Sequence, residues 1–474
     1  MVFNSVTFIL FFLVVLVLHN LPLSWRFKKV NLVWASYVFY AAWNPPFVLL
    51  LMVTTVVDWF AARGMYAART ANGKHLWLLV TLGSNLGMLG LFKYGTFLLQ
   101  NTTAVLGGLG IRWQAPHLGI ILPIGISFYT FVTLSYTLDI YFGRIKPWDS
   151  FLDYCLLVTF FPHLVAGPIL RAGDFLPQCR TERKPTPRQF SWGLALLVLG
   201  LFEKSVLADY FCAPTVETVY DSGVIPGFTD VWCGTLAFAG QIFFDFAGYS
   251  TCALGIAQCL GFWLPQNFRY PYAAIGFSDF WRRWHISLSS WLRDYLYIPL
   301  GGNRLGPFRT YVNLMVTMLL GGLWHGASWT YVVWGGLHGC FLSLERLVKA
   351  RIGASHFWWG EGKRPLLALL TFFLICMTWV FFRASTLHSA FGMCLSMVGF
   401  GPLRPTPLLT HSDSARVLLL TLVFLTGHWF MRERTLESVA SRVPWLARAA
   451  ALAGMFVSIA ITPGADRAFI YFQF

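Results

Sequence analysis

Long apolar runs separated by short polar segments rich in lysine and arginine set the rhythm of this chain. In order they cover residues 6–23, 30–43, 47–62, 76–92, 95–111, 118–142, 154–170, 190–207 and 231–264. They resume at 312–323, 329–344, 366–382, 387–400, 417–430 and 446–461. A transmembrane helix needs about 20 apolar residues to cross about 30 Å of hydrocarbon, so the pattern predicts an all-α polytopic membrane protein with roughly 11–13 helical elements. The shorter elements are expected to be interfacial or re-entrant, because irregular backbone is tolerated at membrane depth only where it lines a cavity. The run at 231–264 exceeds one span and contains Asp245 and several glycines, so it predicts two segments or one kinked helix. No internal repeat or low-complexity tract divides the chain, and residues 1–474 read as one membrane domain.

Loop charges give the orientation. No basic residue precedes the first apolar run, whereas Arg26, Lys28 and Lys29 follow it, which predicts an uncleaved helix with its N-terminus outside. Asn44-Pro45-Pro46 turns the chain, and Arg63, Arg69 and Lys74 then return it to the cytoplasmic side. The loop at 180–188, RTERKPTPR, falls on the same side, as does the pair of basic clusters at 346–351 and Lys363-Arg364.

Composition agrees with a membrane setting. Charged residues make up 12% of the chain, half of the roughly 25% usual in soluble domains. The 21 Trp, 18 Tyr and 44 Phe suit a chain that meets lipid and its interface. The net charge of +15 does not indicate nucleic acid, since the basic residues are dispersed in short clusters beside apolar runs. Nine cysteines without a CxxC pair, most of them in apolar runs (Cys340 among these), read as buried thiols rather than a disulfide or zinc framework.

One stretch breaks the pattern. Residues 278–338 gather His285, His325, His338, Arg282, Arg283, Arg293, Arg304, Asp294 and Asn303 between apolar runs. An ionisable group at membrane depth costs about 2.5–3.5 kcal/mol on insertion scales, so such a cluster marks a candidate site. Gly321, Gly322 and Gly326 flank His325 and permit close backbone approach. Histidine titrates near neutral pH and can accept a proton from a hydroxyl, although composition alone favours a hydrogen-bonded core histidine here. In a continuous helix, Trp281, His285 and Ser289 would share a face, with Arg282 and Arg283 pointing elsewhere toward headgroups. His338 reads as packing support.

The histidine spacings match no short metal-ligand pattern, so no metal is expected. No GxSxG elbow or phosphate-binding P-loop is present. A second polar segment, FFPHLVAGPILRAGDFLPQ at 160–178, carries Arg171 just past an apolar run, either as an interface anchor or as a contact for an anionic donor. Asp58 and Asp245 are lone membrane acids, each expected to pair structurally with an arginine.

The strings LPIGISFY, FPHLVAGPILR, QIFFDFAGYS, LPQNFRYPY, FWRRWHISLSSWLRDYLYIPLGGNR, LGGLWHGASW and FIYFQF together resemble the membrane-bound O-acyltransferase family, in the bacterial branch that serves alginate O-acetylation. The resemblance departs from the family pattern at Glu203 in GLFEK and at Thr251 after GYS. It implies a helical fold around a central tunnel that brings a cytoplasmic acyl donor to an outer acceptor. It implies His325 and His285 as catalytic residues; Trp324, Asn303, Trp284, Arg283 and Arg171 are the candidate substrate contacts. The implied donor is acetyl-CoA, used as a substrate with no resident cofactor.

The implied partners are membrane lipid, an outer-face acetyltransferase and an exported polysaccharide, with the protein in a bacterial inner membrane. D-alanyl or other acyl transfer to an envelope polymer is the alternative within the class. A glycan or lipid transporter is the alternative outside it, and the chain lacks the paired interrupted halves that inverted-repeat transporters show.

Overall fold

The computed structural model describes residues 1–116, 119–352, 360–402, 406–462, 467 and 469–470. Among these residues every regular element is helical. Six stretches are long and apolar enough to cross a membrane: Phe47–Ala67, Ala71–Gly108, Pro187–Tyr220, Phe228–Cys259, Arg364–Arg383 and His411–Met431. The polytopic all-α expectation therefore holds. The chain divides into two compact units, 1–194 with 253–265, and 195–252 with 266–474.

The first unit holds α1 (Val6–Asn20), α2 (Trp25–Ala41), α3 (Phe47–Ala67), α4 (Ala71–Leu89), α5 (Gly95–Gly108), α6 (Ile126–Tyr141), α7 (Phe151–Thr159), α8 (Phe161–Leu164) and α9 (Ala172–Phe175). The apolar run at 118–142 becomes helical only from Ile126, and the run at 154–170 breaks after Thr159. Pro162 explains the second break, since proline lacks the donor that a continuing helix needs.

Asp58 does not pair with an arginine. Thr81 and Asn85, one turn apart on α4, donate to its carboxylate, with the Asn85 amide reaching both oxygens at 3.0 and 2.8 Å. A buried carboxylate must be satisfied, and hydroxyl and amide donors on one helix face do this without burying a second charge. Nearby, buried Lys29 pairs with Asp153 and Lys28 donates to Glu182 at 2.8 Å. The Lys28 ammonium holds the Glu182 carboxyl below its usual range.

Two helices contribute residues to both units: α10 (Pro187–Leu201) and α12 (Phe228–Cys259). The run at 231–264 is thus mostly one helix of 32 residues rather than two segments. After α10 the chain winds as a π-helix over Phe202–Cys212 into α11 (Ala213–Tyr220). Lys204 on that π-helix pairs with Asp209 at 2.9 Å and with Asp245 of α12. The partner of Asp245 is therefore a lysine, not an arginine.

The second unit continues with α13 (Phe277–Trp281), α14 (Ile286–Leu292), α15 (Gly306–His325), α16 (Trp329–Ile352), α17 (Arg364–Arg383), α18 (Leu387–Met397), α19 (His411–Met431), α20 (Leu436–Ala440) and α21 (Trp445–Ile461). Cys340 on α16 is exposed, unlike the buried thiols with which its apolar run grouped it.

Candidate active site

The hairpin of α15 and α16 carries His325. The two helices approach so closely that a Cβ on Gly322 would lie 2.3 Å from the Tyr331 carbonyl oxygen. A Cβ on Gly335 would lie 2.3 Å from the Met318 carbonyl oxygen. Small residues at helix crossings permit this backbone contact and favour tight packing in a membrane. Directly after His325, a Cβ on Gly326 would meet the Tyr331 ring at 2.1 Å. Ser328 then starts α16, its Oγ accepting from the Thr330 N–H at 3.3 Å. The histidine is thereby held as the last helical residue of α15, beside a close backbone crossing.

Its ring lies in an aromatic chamber. The centroids of Trp324, Trp334 and Phe382 stand 5.0, 5.0 and 5.2 Å from it. His325 is 3% exposed. Trp324 also reaches the other histidine, with its ring 6.0 Å from that of His285. A single indole therefore touches both imidazoles.

His285 does not lie on a continuous helix. The chain leaves α13 at Trp281, folds back as the Arg283 and Trp284 N–H groups both donate to the Phe280 carbonyl, and enters α14 at Ile286. His285 itself takes the left-handed conformation, φ 42° and ψ 55°. The shared face of Trp281, His285 and Ser289 is not formed. Instead the turn buries the imidazole completely, edge-on to Phe246 at 4.6 Å. Among the described residues only Tyr270 and His285 have positive φ without being glycine. Such backbone costs about 1–3 kcal/mol and persists only where the surroundings impose it, often at functional sites.

The surroundings here are the 267–273 segment and an ion network. The Arg269 N–H donates to the Arg283 carbonyl at 2.9 Å, and the Ile286 N–H donates to the Asn267 carbonyl at 2.9 Å. Arg283 Nε donates to Asp279 at 2.9 Å, and its Nη1 donates to the Arg432 carbonyl at 2.9 Å. Arg432 completes the network through Asp279 at 2.9 Å and the Ala273 carbonyl at 2.8 Å. Burial alone would raise the Asp279 carboxyl, but the Ile275 N–H and the two guanidinium groups outweigh it and hold it below the usual range.

The remaining sequence candidates fall in different places. Arg283 is buried and its donors serve the network just described, so it braces the turn. Trp284 is 1% exposed, stacked on Phe280 at 5.6 Å and packed on Trp379 at 5.0 Å. Asn303 lies exposed in the loop before α15. Arg171 precedes α9 in the first unit.

His338 uses both ring nitrogens. The Trp281 indole can only donate, so Nδ1 accepts from it at 3.3 Å and the Nε2–H donates to Thr378 Oγ1 at 3.1 Å. It acts as a post between α16 and α17. Among the described residues no group of three or more His, Cys, Asp or Glu converges as a metal site would require.

Two features escaped the sequence. Asn267, in the quoted string LPQNFRYPY, touches the His285 turn, yet an asparagine in a loop carries no signal of that contact. Glu203 and Thr251, separated by 48 positions in the chain, are partners, with Thr251 Oγ1 donating to Glu203 at 3.3 Å.

The family model described as membrane-bound O-acyltransferase matches residues 5–387. A probable alginate O-acetylase of Pseudomonas putida is 39% identical over 438 residues, covering 91% of this chain and 87% of that protein. A peptidoglycan O-acetyltransferase of Helicobacter pylori is 37% identical, covering 84% of this chain and 80% of that protein. A teichoic acid D-alanyltransferase of Lacticaseibacillus rhamnosus is 32% identical over 48% of this chain and 60% of its own length. With a helical membrane fold, a histidine-bearing polar centre and this family match across most of its length, the chain belongs to the membrane-bound O-acyltransferase family and is a multi-pass membrane O-acyltransferase.

Proposed function

We propose that this enzyme moves an acetyl group from cytoplasmic acetyl-CoA to a hydroxyl acceptor beyond the membrane, for O-acetylation of an exported or cell-envelope polysaccharide. The observation that carries the reading is the contact of one indole, Trp324, with both His285 and His325 in a buried aromatic chamber. The names of the relatives, alginate O-acetylase and peptidoglycan O-acetyltransferase, favour acetyl and a glycan.

In this reading His325 takes the proton of the acceptor hydroxyl as its oxygen attacks the thioester carbonyl. The C–S bond then breaks, and the proton passes from His325 to the departing thiolate. The products are an O-acetyl ester and free CoA, and His325 is regenerated. General-base assistance of this kind contributes about 10²–10⁴-fold. His285 positions or polarises the reacting carbonyl from the other side of Trp324. A buried chamber also excludes water, which would otherwise compete as nucleophile for the thioester.

Arg171 binds an anionic group of the donor in this reading. The first acceptor is a hydroxyl on an outer-face acetyltransferase partner or on the glycan itself. The enzyme lies in a bacterial inner membrane with its N-terminus outside, as the loop charges indicate. The part-length similarity to a teichoic acid D-alanyltransferase favours D-alanyl transfer as the second reading.

Purified enzyme in proteoliposomes, given acetyl-CoA labelled in the acetyl group and candidate hydroxyl acceptors, tests the reading. Labelled ester and an equal amount of free CoA are expected. Label recovered only as intact acetyl-CoA, or transfer only with a D-alanyl donor, would overturn it.

A further inference from the structure

His285 stands at the N-cap position of α14, where Ser, Thr, Asp or Asn usually accepts a hydrogen bond from the first helical N–H groups. Its side chain makes no such bond. The cap comes from elsewhere: Asn267 Oδ1 accepts from the Ser287 N–H at 3.3 Å and from Ser287 Oγ at 2.6 Å. The same residue's carbonyl accepts from the Ile286 N–H at 2.9 Å. Its Nδ2 donates to Ser250 Oγ at 3.2 Å, which ties the cap to α12.

Asn267 is 1% exposed and Ser250 is 3% exposed, so water cannot replace these bonds. Two consecutive N–H groups immediately after His285 are thus satisfied by one residue outside the helix. The imidazole is released from the capping task that its position would impose.

We infer that Asn267 is a positioning residue: it caps α14 from outside, holds His285 in its left-handed turn, and so aims the imidazole at the Trp324 side of the chamber. The inference rests on the proposed role of His285 in acyl transfer. Removing the cap leaves the bond from the Ile286 N–H to the residue 267 carbonyl but takes away the side-chain acceptor of the Ser287 N–H and Oγ, so the turn relaxes toward ordinary backbone and the ring swings.

The test compares Asn267→Ala and Asn267→Asp in the full-length enzyme in proteoliposomes, with labelled acetyl-CoA as donor. Each is made alone and combined with His285→Ala. Asp keeps the acceptor for Ser287, and Ser250 can then donate to its second oxygen. Asn267→Ala is expected to lower kcat about 10–100-fold with donor KM nearly unchanged, as a displacement of about 1 Å near the chemistry does. Asn267→Asp is expected to restore most of kcat, and Asn267→Ala is expected to cost nothing further once His285 is alanine.

An equal loss in both backgrounds, or Asn267→Asp as impaired as Asn267→Ala, overturns the positioning role while leaving the histidine assignment intact. Full activity of His285→Ala alone overturns both. Should Asn267→Ala fail to elute as folded protein, Ser250→Ala replaces it, with a smaller loss of kcat expected on the same pattern and an unchanged kcat counting against the inference.

Discussion

Replacing Gly335 by alanine perturbs the active site through backbone alone. The new Cβ would lie 2.3 Å from the Met318 carbonyl oxygen and 3.2 Å from the Gly322 Cα. Non-bonded heavy atoms settle near 3.5 Å, so α15 and α16 must part by on the order of 1 Å. Overpacking of this kind costs about 1–3 kcal/mol of stability. It also shifts His325, carried at the end of α15, relative to Trp334 on α16. A misplacement of about 1 Å can cost about 10²-fold in rate, equivalent to about 2.7 kcal/mol of activation free energy.

Gly336 is the control, since a Cβ there would meet only Leu319 at 3.5 Å, an ordinary contact. Acetyl transfer from labelled acetyl-CoA in proteoliposomes, with elution profile and Tm measured alongside, should show Gly335→Ala folded but slowed about 10²-fold, and Gly336→Ala near wild type. Folded Gly335→Ala with wild-type kcat, or equal losses in both variants, would refute the claim that this crossing sets the position of His325.

Two further outcomes follow from the geometry. Asp279 has a lowered folded pKa, so its contribution to stability is present above the ordinary aspartate value of about 4 and is lost as pH falls through the lowered value. Thermal unfolding between pH 3 and 7 should therefore show Tm falling at the acid end, with Asp279→Asn lower at pH 7 and flatter across the range; parallel curves would contradict the assignment. Arg171→Ala should raise the KM for acetyl-CoA with kcat nearly unchanged, the signature of lost uniform binding; a loss confined to kcat would remove Arg171 from donor binding.

The helical membrane class was legible because apolar runs and loop charges report hydrocarbon thickness and sidedness directly. Boundaries were less legible. The runs at 118–142 and 154–170 are apolar beyond the helices they contain, and hydropathy cannot tell a buried irregular segment from a helix.

The polar centre at 278–338 stood out by charge, and the glycines around His325 announced close packing. The path at His285 did not. A left-handed histidine between two short helices is imposed by distant partners, Asn267 and the Asp279–Arg283–Arg432 network, and a periodicity argument assumes a helix that continues. For the same reason the sequence does not show that Arg283 braces the turn or that Trp284 packs on Trp379. That Asp58 and Asp245 need partners follows from their apolar surroundings, but which helix supplies them is not written in the local sequence.

In the proposed reaction His325 takes and returns the transferred proton. The most direct test of this role is single-turnover acetyl transfer by His325→Ala in proteoliposomes, with labelled acetyl-CoA on the donor side and folding verified by elution and Tm. Donor binding close to wild type and a transfer rate lowered by about 10²–10⁴-fold are expected. Full-rate transfer by the folded variant would contradict it.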